Sequence, residues 1–107
     1  MPKKLIFICH KRPELSAQKF AAEWASARHV AIVEKIPGLT RYVHNYVGAS
    51  DAPSAPDGIG ELWFDTDDAL ERALSSPEMG AAVEDAKAFL DMDRTFAVPA
   101  DEKTIVG

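Results

Sequence analysis

"GLTRYVHNYVGASDAPSAPDGIGELWFD", residues 38–65, holds two strand-like runs joined by a loop, with no helical sequence between them. In the first run Tyr42, His44 and Tyr46 alternate with Val43, Asn45 and Val47, so phenols and imidazole share one face of a strand. The connection over 48–58, "GASDAPSAPDG", is dense in Ala, Ser, Asp, Pro and Gly and reads as an exposed loop. The second run, "GIGELWFD", puts Leu62 and Phe64 on one face and Ile59 and Trp63 on the other. Two adjacent strands in mid-chain restrict the fold to what their flanks can supply.

The N-terminal flank opens with "KKLIFICH", residues 3–10, an unbroken apolar run that predicts a strand buried on both faces. Pro13 ends it, and Ser16 is placed to cap a helix, although Lys19 stands where a capping box would carry Glu or Gln. Helical sequence continues to about Ile36, where Pro37-Gly38 stops it. On the C-terminal flank, Thr66 or Asp65 caps a short helix through Leu74, and Ser76-Pro77-Glu78 restarts it. Met79, Ala82, Val83, Ala86, Phe89 and Leu90 then form an apolar stripe at helical spacing. A last strand, "RTFAVPA", precedes a polar bend and an extended tail ending in Ile105 and Val106.

The order is β-α-β-β-α-β, an α+β fold of ferredoxin-like type. Two helical segments cover one face of a four-stranded antiparallel sheet. With no internal repeat and no dividing linker, residues 1–107 read as one domain. The first and third strands are apolar on both sides, so the helix-free face would offer water a large apolar patch. A homodimer formed sheet against sheet is the expected solution.

Composition narrows the partners. Apolar residues make up 47% and charged residues 27%, the ordinary balance of a soluble globular protein. A formal charge of -5 argues against a nucleic-acid backbone and against anionic membranes as partners. The apolar run Leu5–Cys9 is too short for a signal-peptide core or a membrane span. A single cysteine, Cys9, cannot make an internal disulfide and reads as a core hydrophobe, which makes the cytoplasm the expected compartment.

Taken together, "KKLIFICHKRPELSAQKFAAEW", Trp24 and His29 with four residues between them, "PGLTRYVHN", "GELWFD" and "ALSSPEMGAAVEDAKAFLD" resemble the EthD-like family. This family is a branch of the dimeric α+β barrel superfamily. The likeness spans almost the whole chain in the same element order. It implies a small dimer whose two sheets close into a barrel, with a cavity between each sheet and its helices. The family is named for a protein encoded beside an ether-degrading cytochrome P450 system. The wider superfamily includes muconolactone isomerases, polyketide cyclases, cofactor-free monooxygenases and heme-degrading enzymes, so the resemblance implies a fold and leaves the reaction open.

Several side chains could carry chemistry. Ala25, His29, Ile32, Val33 and Ile36 share one helical face, which aims His29 into the apolar stripe as either a satisfied core histidine or an acid–base group. The resemblance favours the second, because the family pattern has a histidine at this point. Phe20 and Trp24 do not share that face, so the helix bends or they pack elsewhere, on the partner chain for instance. His44, between Tyr42 and Tyr46, is either a proton-transfer group flanked by phenolic donors or ordinary amphipathic surface on an edge strand. The resemblance is tighter at Asn45 than at His44, where Gln would also fit. Glu61, on an apolar strand, must be paired or protonated, and either bridges to Arg41 or Arg94 or orients a histidine. Trp63 is core packing or a flat cavity wall.

His10, His29 and His44 are too scattered for a metal motif, and Gly58 and Gly60 lack the helix a phosphate loop requires. No metal and no bound cofactor are expected; heme, by superfamily analogy, would have only His29 as an axial ligand. Two functions follow. The first is a small-molecule catalyst acting on a mostly apolar cyclic or aromatic ligand. There His29 is acid or base, Glu61 or His44 orients it, and Tyr42, Asn45, Tyr46 and Trp63 contact the ligand. The reaction would be isomerisation, dehydration, cyclisation or cofactor-free oxidation. The second is a non-catalytic binding protein serving an oxygenase pathway. Convergence of His29 and Glu61 within about 3–4 Å would separate them.

Overall fold

The computed structural model describes residues 3–107. Its elements are β1 (Lys3–Cys9), α1 (Ala17–Trp24), α2 (Ala27–Glu34), β2 (Leu39–Tyr46), β3 (Gly58–Phe64), α3 (Asp67–Leu74), α4 (Pro77–Ala86) and β4 (Phe96–Asp101). The sheet runs β2-β3-β1-β4 with every neighbour antiparallel, so β2 is an edge strand. This is the expected split pattern, with each of the two helical stretches divided into a pair.

Serine and threonine make those divisions. Ser16, Ser26, Thr66 and Ser76 each accept a hydrogen bond from the backbone N–H three residues on. Each satisfies a donor that a helix start otherwise leaves unpaired. A continuous helix over 16–36 is therefore corrected: the chain breaks at Ala25-Ser26, and the Ser26 hydroxyl receives the His29 N–H at 3.2 Å. The break re-aims the helix, so Phe20, Trp24, His29 and Val33 are all buried within one chain. Lys35 caps the second helix, and Gly38, with φ of 78°, takes the left-handed conformation that suits glycine in the turn leading into β2.

Strand register assigns the faces. Leu5 pairs with Leu62, and Leu62 with Tyr42; Phe7 pairs with Gly60, and Gly60 with His44. These residues face the helices. The alternate rows, Val98-Ile6-Glu61-Val43, Phe96-Ile8-Ile59-Asn45 and Ala100-Lys4-Trp63-Arg41, form the helix-free face. Under the helices the core has two clusters. One centres on Leu5, Leu62, Phe64, Leu70 and Met79, the other on Cys9, Phe20, Trp24, Phe89 and Leu90, and Phe7 packs against both.

Candidate functional site

A cavity lies between sheet and helices, walled by members of both core clusters, among them Phe7, Trp24, Val33, Leu62, Met79 and Leu90. Its volume is about 60 Å³, room for a few water molecules. Small-molecule pockets begin near ~300 Å³, so a ligand must displace part of the wall. Met79 and Met92 are the adaptable side chains there, and Met92 is partly exposed. No lysine or arginine lines the cavity, so it offers no counter-charge to an anionic ligand. Its polar side chains are His29, Tyr42 and Thr95, beside the thiol of Cys9. Burial pushes that thiol up to about 12, which keeps it uncharged and unreactive as a nucleophile near neutrality.

His29 is delivered by the first turn of α2 and is only 4% exposed. Its Nδ1 lies 2.8 Å from Oδ2 of Asp85 on α4, and its ring meets Phe89 edge-on at 5.0 Å. Arg28, one residue earlier and pointing outward, donates to both oxygens of the same carboxylate at 3.2 and 3.3 Å. Burial by itself would raise the Asp85 carboxyl. The hydrogen bonds from Arg28 and His29 outweigh it and hold the group below the usual carboxylate range. In the neutral imidazole an ionised carboxylate beside Nδ1 fixes the proton on that nitrogen and leaves Nε2 as the acceptor. No described residue hydrogen-bonds Nε2, so the arrangement is an oriented base on the wall of an apolar cavity.

Tyr42, His44 and Tyr46 also face the helices. Trp24, from the end of α1, lies on them: its ring stacks on His44 at 3.7 Å and 12°, and meets Tyr46 edge-on at 5.5 Å. Glycine makes room for it. A Cβ on Gly58 would sit 2.5 Å from Cζ3 of Trp24, and one on Gly60 3.3 Å from Cζ2. The His44 Nε2 is hydrogen-bonded to Tyr42 Oη, and its Nδ1 lies 3.2 Å from Tyr46 Oη. Burial, then the charge of nearby His29, lowers His44 to about 4, so its imidazole is neutral near pH 7. Burial raises the Tyr42 phenol.

The remaining sequence candidates lie across the sheet. Glu61 sits between Gly60 and Leu62, which line the cavity, and therefore points to the helix-free face. There it accepts from Lys4 Nζ at 2.7 Å and from Asn45 Nδ2 at 3.0 Å, contacts that lower its carboxyl. It does not meet His29; the carboxylate that does is Asp85. Asn45 also donates to the Ile59 carbonyl at 2.9 Å. Trp63 is on the same face, with Arg41 over its ring at 4.4 Å and Glu102 accepting its indole N–H at 2.5 Å. The anticipated set thus divides into His29, Tyr42, His44 and Tyr46 on the helix side, and Asn45, Glu61 and Trp63 opposite.

Asp85 and Trp24 are the site residues that sequence reading passed over. Asp85 adjoins Ala86 and lies three residues after Ala82, so it flanks the apolar stripe of α4 rather than facing solvent. The trace of Trp24 was the pair Gly58 and Gly60, a gap in an otherwise bulky strand that something large must fill. Among the described residues, no three His, Cys, Asp or Glu side chains converge as a metal-binding group.

Comparison with known proteins places this geometry in a lineage. An EthD family protein of Bacillus halodurans superposes with a TM-score of 0.77 at 25% identity, over 96% of this chain and 100% of that one. A dimeric ferredoxin-like protein of Bacteroides fragilis aligns with a TM-score of 0.67 at 14% identity, over 94% and 96%. SnoaB of Streptomyces nogalater, a cofactor-independent oxygenase, aligns at 0.57 and 17% identity, over 97% and 94%. The last two share the fold alone. No curated protein matches the sequence at a significant level. The EthD domain pattern matches residues 12–93, from the end of β1 to the approach to β4, and the chain belongs to the EthD domain family.

Proposed function

We propose that the protein is a small-molecule catalyst that needs no bound cofactor, with His29 as the proton-transferring group and Asp85 as the residue that orients it. The observation that carries this reading is the His29–Asp85 pair: a buried imidazole on a cavity wall, held at 2.8 Å by an ionised carboxylate, with its second nitrogen free of protein partners among the described residues. The apolar wall without cations favours an uncharged cyclic or aromatic compound. Tyr42 presents its phenol oxygen to the ligand, with His44 and Tyr46 behind it. Isomerisation, dehydration and cyclisation all require a proton to leave one atom and reach another, which one oriented imidazole performs. Cofactor-free oxidation is the activity of the Streptomyces neighbour, which shares the fold.

The acting unit in this reading is a homodimer in the cytoplasm. Phe96 is 55% exposed and Val98 40%, and with Ile6, Ile8, Ile59 and Val43 they form an apolar row that a second sheet would cover. Lys4, Glu61, Asn45, Arg41 and Trp63 would then lie between the sheets as polar contacts of assembly rather than of catalysis. No helix among the described residues is long and apolar enough to cross a membrane.

The test uses two uncharged probes, 2-tetralone for solvent-deuterium incorporation beside its carbonyl and 5-nitrobenzisoxazole for base-promoted ring opening. Wild type should accelerate at least one above buffer, and His29→Gln should lose about 10²-fold or more. Binding of both probes without turnover, unchanged in His29→Gln, would replace this reading with the non-catalytic carrier. No binding at all would remove the ligand site.

A further inference from the structure

Tyr42, His44 and Tyr46 occupy alternate positions on β2 and point the same way, which places the imidazole between the two phenols. The three form one hydrogen-bonded chain: Tyr42 Oη to His44 Nε2, and His44 Nδ1 to Tyr46 Oη at 3.2 Å. The chain has distinct ends. Tyr42 lines the cavity, whereas Tyr46 is 54% exposed. We propose that Tyr42, His44 and Tyr46 are a proton relay that joins the cavity to bulk water.

The relay balances without a charged intermediate. A proton arriving at Tyr42 Oη releases the proton that oxygen already carries to His44 Nε2. The proton on His44 Nδ1 passes to Tyr46 Oη, and the proton of Tyr46 passes to water. One proton enters and one leaves; both phenols and the imidazole end neutral, with the imidazole in its other tautomer. Passage of a proton in the reverse direction restores the starting tautomer. An imidazole suits the middle position because it accepts on one nitrogen and donates from the other.

The surroundings support this role. His44 is held neutral by burial, so it is available for tautomer exchange rather than resting as a cation. The indole of Trp24, stacked at 3.7 Å and seated over Gly58 and Gly60, keeps the ring plane fixed with each nitrogen aimed at its phenol. The His29–Asp85 pair lies on the helices and shares no hydrogen bond with the chain on β2. The use of the relay in turnover rests on the acid–base reading of His29; its ability to conduct protons does not.

The measurement is solvent exchange of the Tyr42 hydroxyl proton and the His44 ring proton, followed by saturation transfer from water in protein NMR. Tyr46→Phe keeps the ring and its contact with Trp24 but deletes the outer oxygen. Exchange of the Tyr42 proton should slow by about tenfold or more, or a proton too fast to see in wild type should become visible. Unchanged or faster exchange, or a proton invisible in both proteins, would overturn the relay. Should Tyr46→Phe fail to give a native amide spectrum, His44→Gln cuts the same chain, because an amide cannot exchange tautomers, and the same outcomes apply. His29→Gln separates the two proposals: it leaves the hydrogen-bonded chain on β2 intact, so Tyr46→Phe should slow Tyr42 exchange in that background too whether or not His29 proves catalytic, and no slowing there would overturn the relay.

Discussion

Gly58→Ala is the perturbation that tests how this site is built. The added methyl would lie 2.5 Å from Cζ3, 2.9 Å from Cη2 and 3.3 Å from Cε3 of Trp24, all inside ordinary contact. The indole has little room to retreat. It is 3% exposed, with His44 stacked on it at 3.7 Å and Phe20 at 5.4 Å. Overpacking of this kind costs about 1–3 kcal/mol. Replacing glycine also restricts the unfolded chain, which returns roughly 0.4–1 kcal/mol. The expected net loss is therefore about 1–2 kcal/mol. Gly60→Ala, whose methyl would be 3.3 Å from Cζ2, should lose about half that or less. The assay is equilibrium urea unfolding followed by far-ultraviolet circular dichroism, at one protein concentration because the proposed dimer couples stability to concentration. Trp24→Leu completes a double-mutant cycle: in that background Gly58→Ala should be neutral or stabilising. A neutral Gly58→Ala in wild type, or an equal loss in the Trp24→Leu background, would refute the glycine floor beneath the indole.

Three further outcomes are expected. His44 titrates at about 4 in the folded chain against 6.5 when free, so the unfolded chain binds more protons between those values and stability falls as pH drops through that window. At 1.36 kcal/mol per pH unit the full effect is about 3 kcal/mol, and solvent around the half-buried ring reduces it to roughly 1–2 kcal/mol. Urea titrations at pH 7 and pH 4 should show this loss in wild type, beyond the loss in His44→Gln. Asp85→Asn should cost about 1–3 kcal/mol, because it weakens the partner of a buried imidazole, while Arg28→Ala should cost about 1 kcal/mol or less at the surface. Equal losses in the same unfolding assay would contradict this ranking. Phe96→Asp should convert a dimer to a monomer in sedimentation equilibrium, since it places a charge in the apolar row of the helix-free face; a dimer of unchanged affinity would place the interface elsewhere.

The sequence alone determined what depends on neighbours along the chain. Alternation marked the strands, Pro37-Gly38 and Ser76-Pro77 marked helix boundaries, and the succession of elements led to the ferredoxin-like sheet. Residue types also showed that Tyr42, His44 and Tyr46 share a face, and that His29 points inward. Tertiary structure decided what depends on distances across the sheet. Strand parity put Glu61 one residue from cavity-lining Gly60 and Leu62, yet only the packing of helices onto one face showed that its side chain is cut off from His29 by the sheet itself. Asp85 became the partner of His29 because α4 lies against α2, a juxtaposition of residues 56 positions apart that no local pattern encodes. The break at Ser26 likewise rests on one hydroxyl meeting one backbone N–H, and it turns Trp24 onto Gly58 and Gly60. Local periodicity reports which way a side chain leaves its own backbone; only the assembled layers report what it meets there.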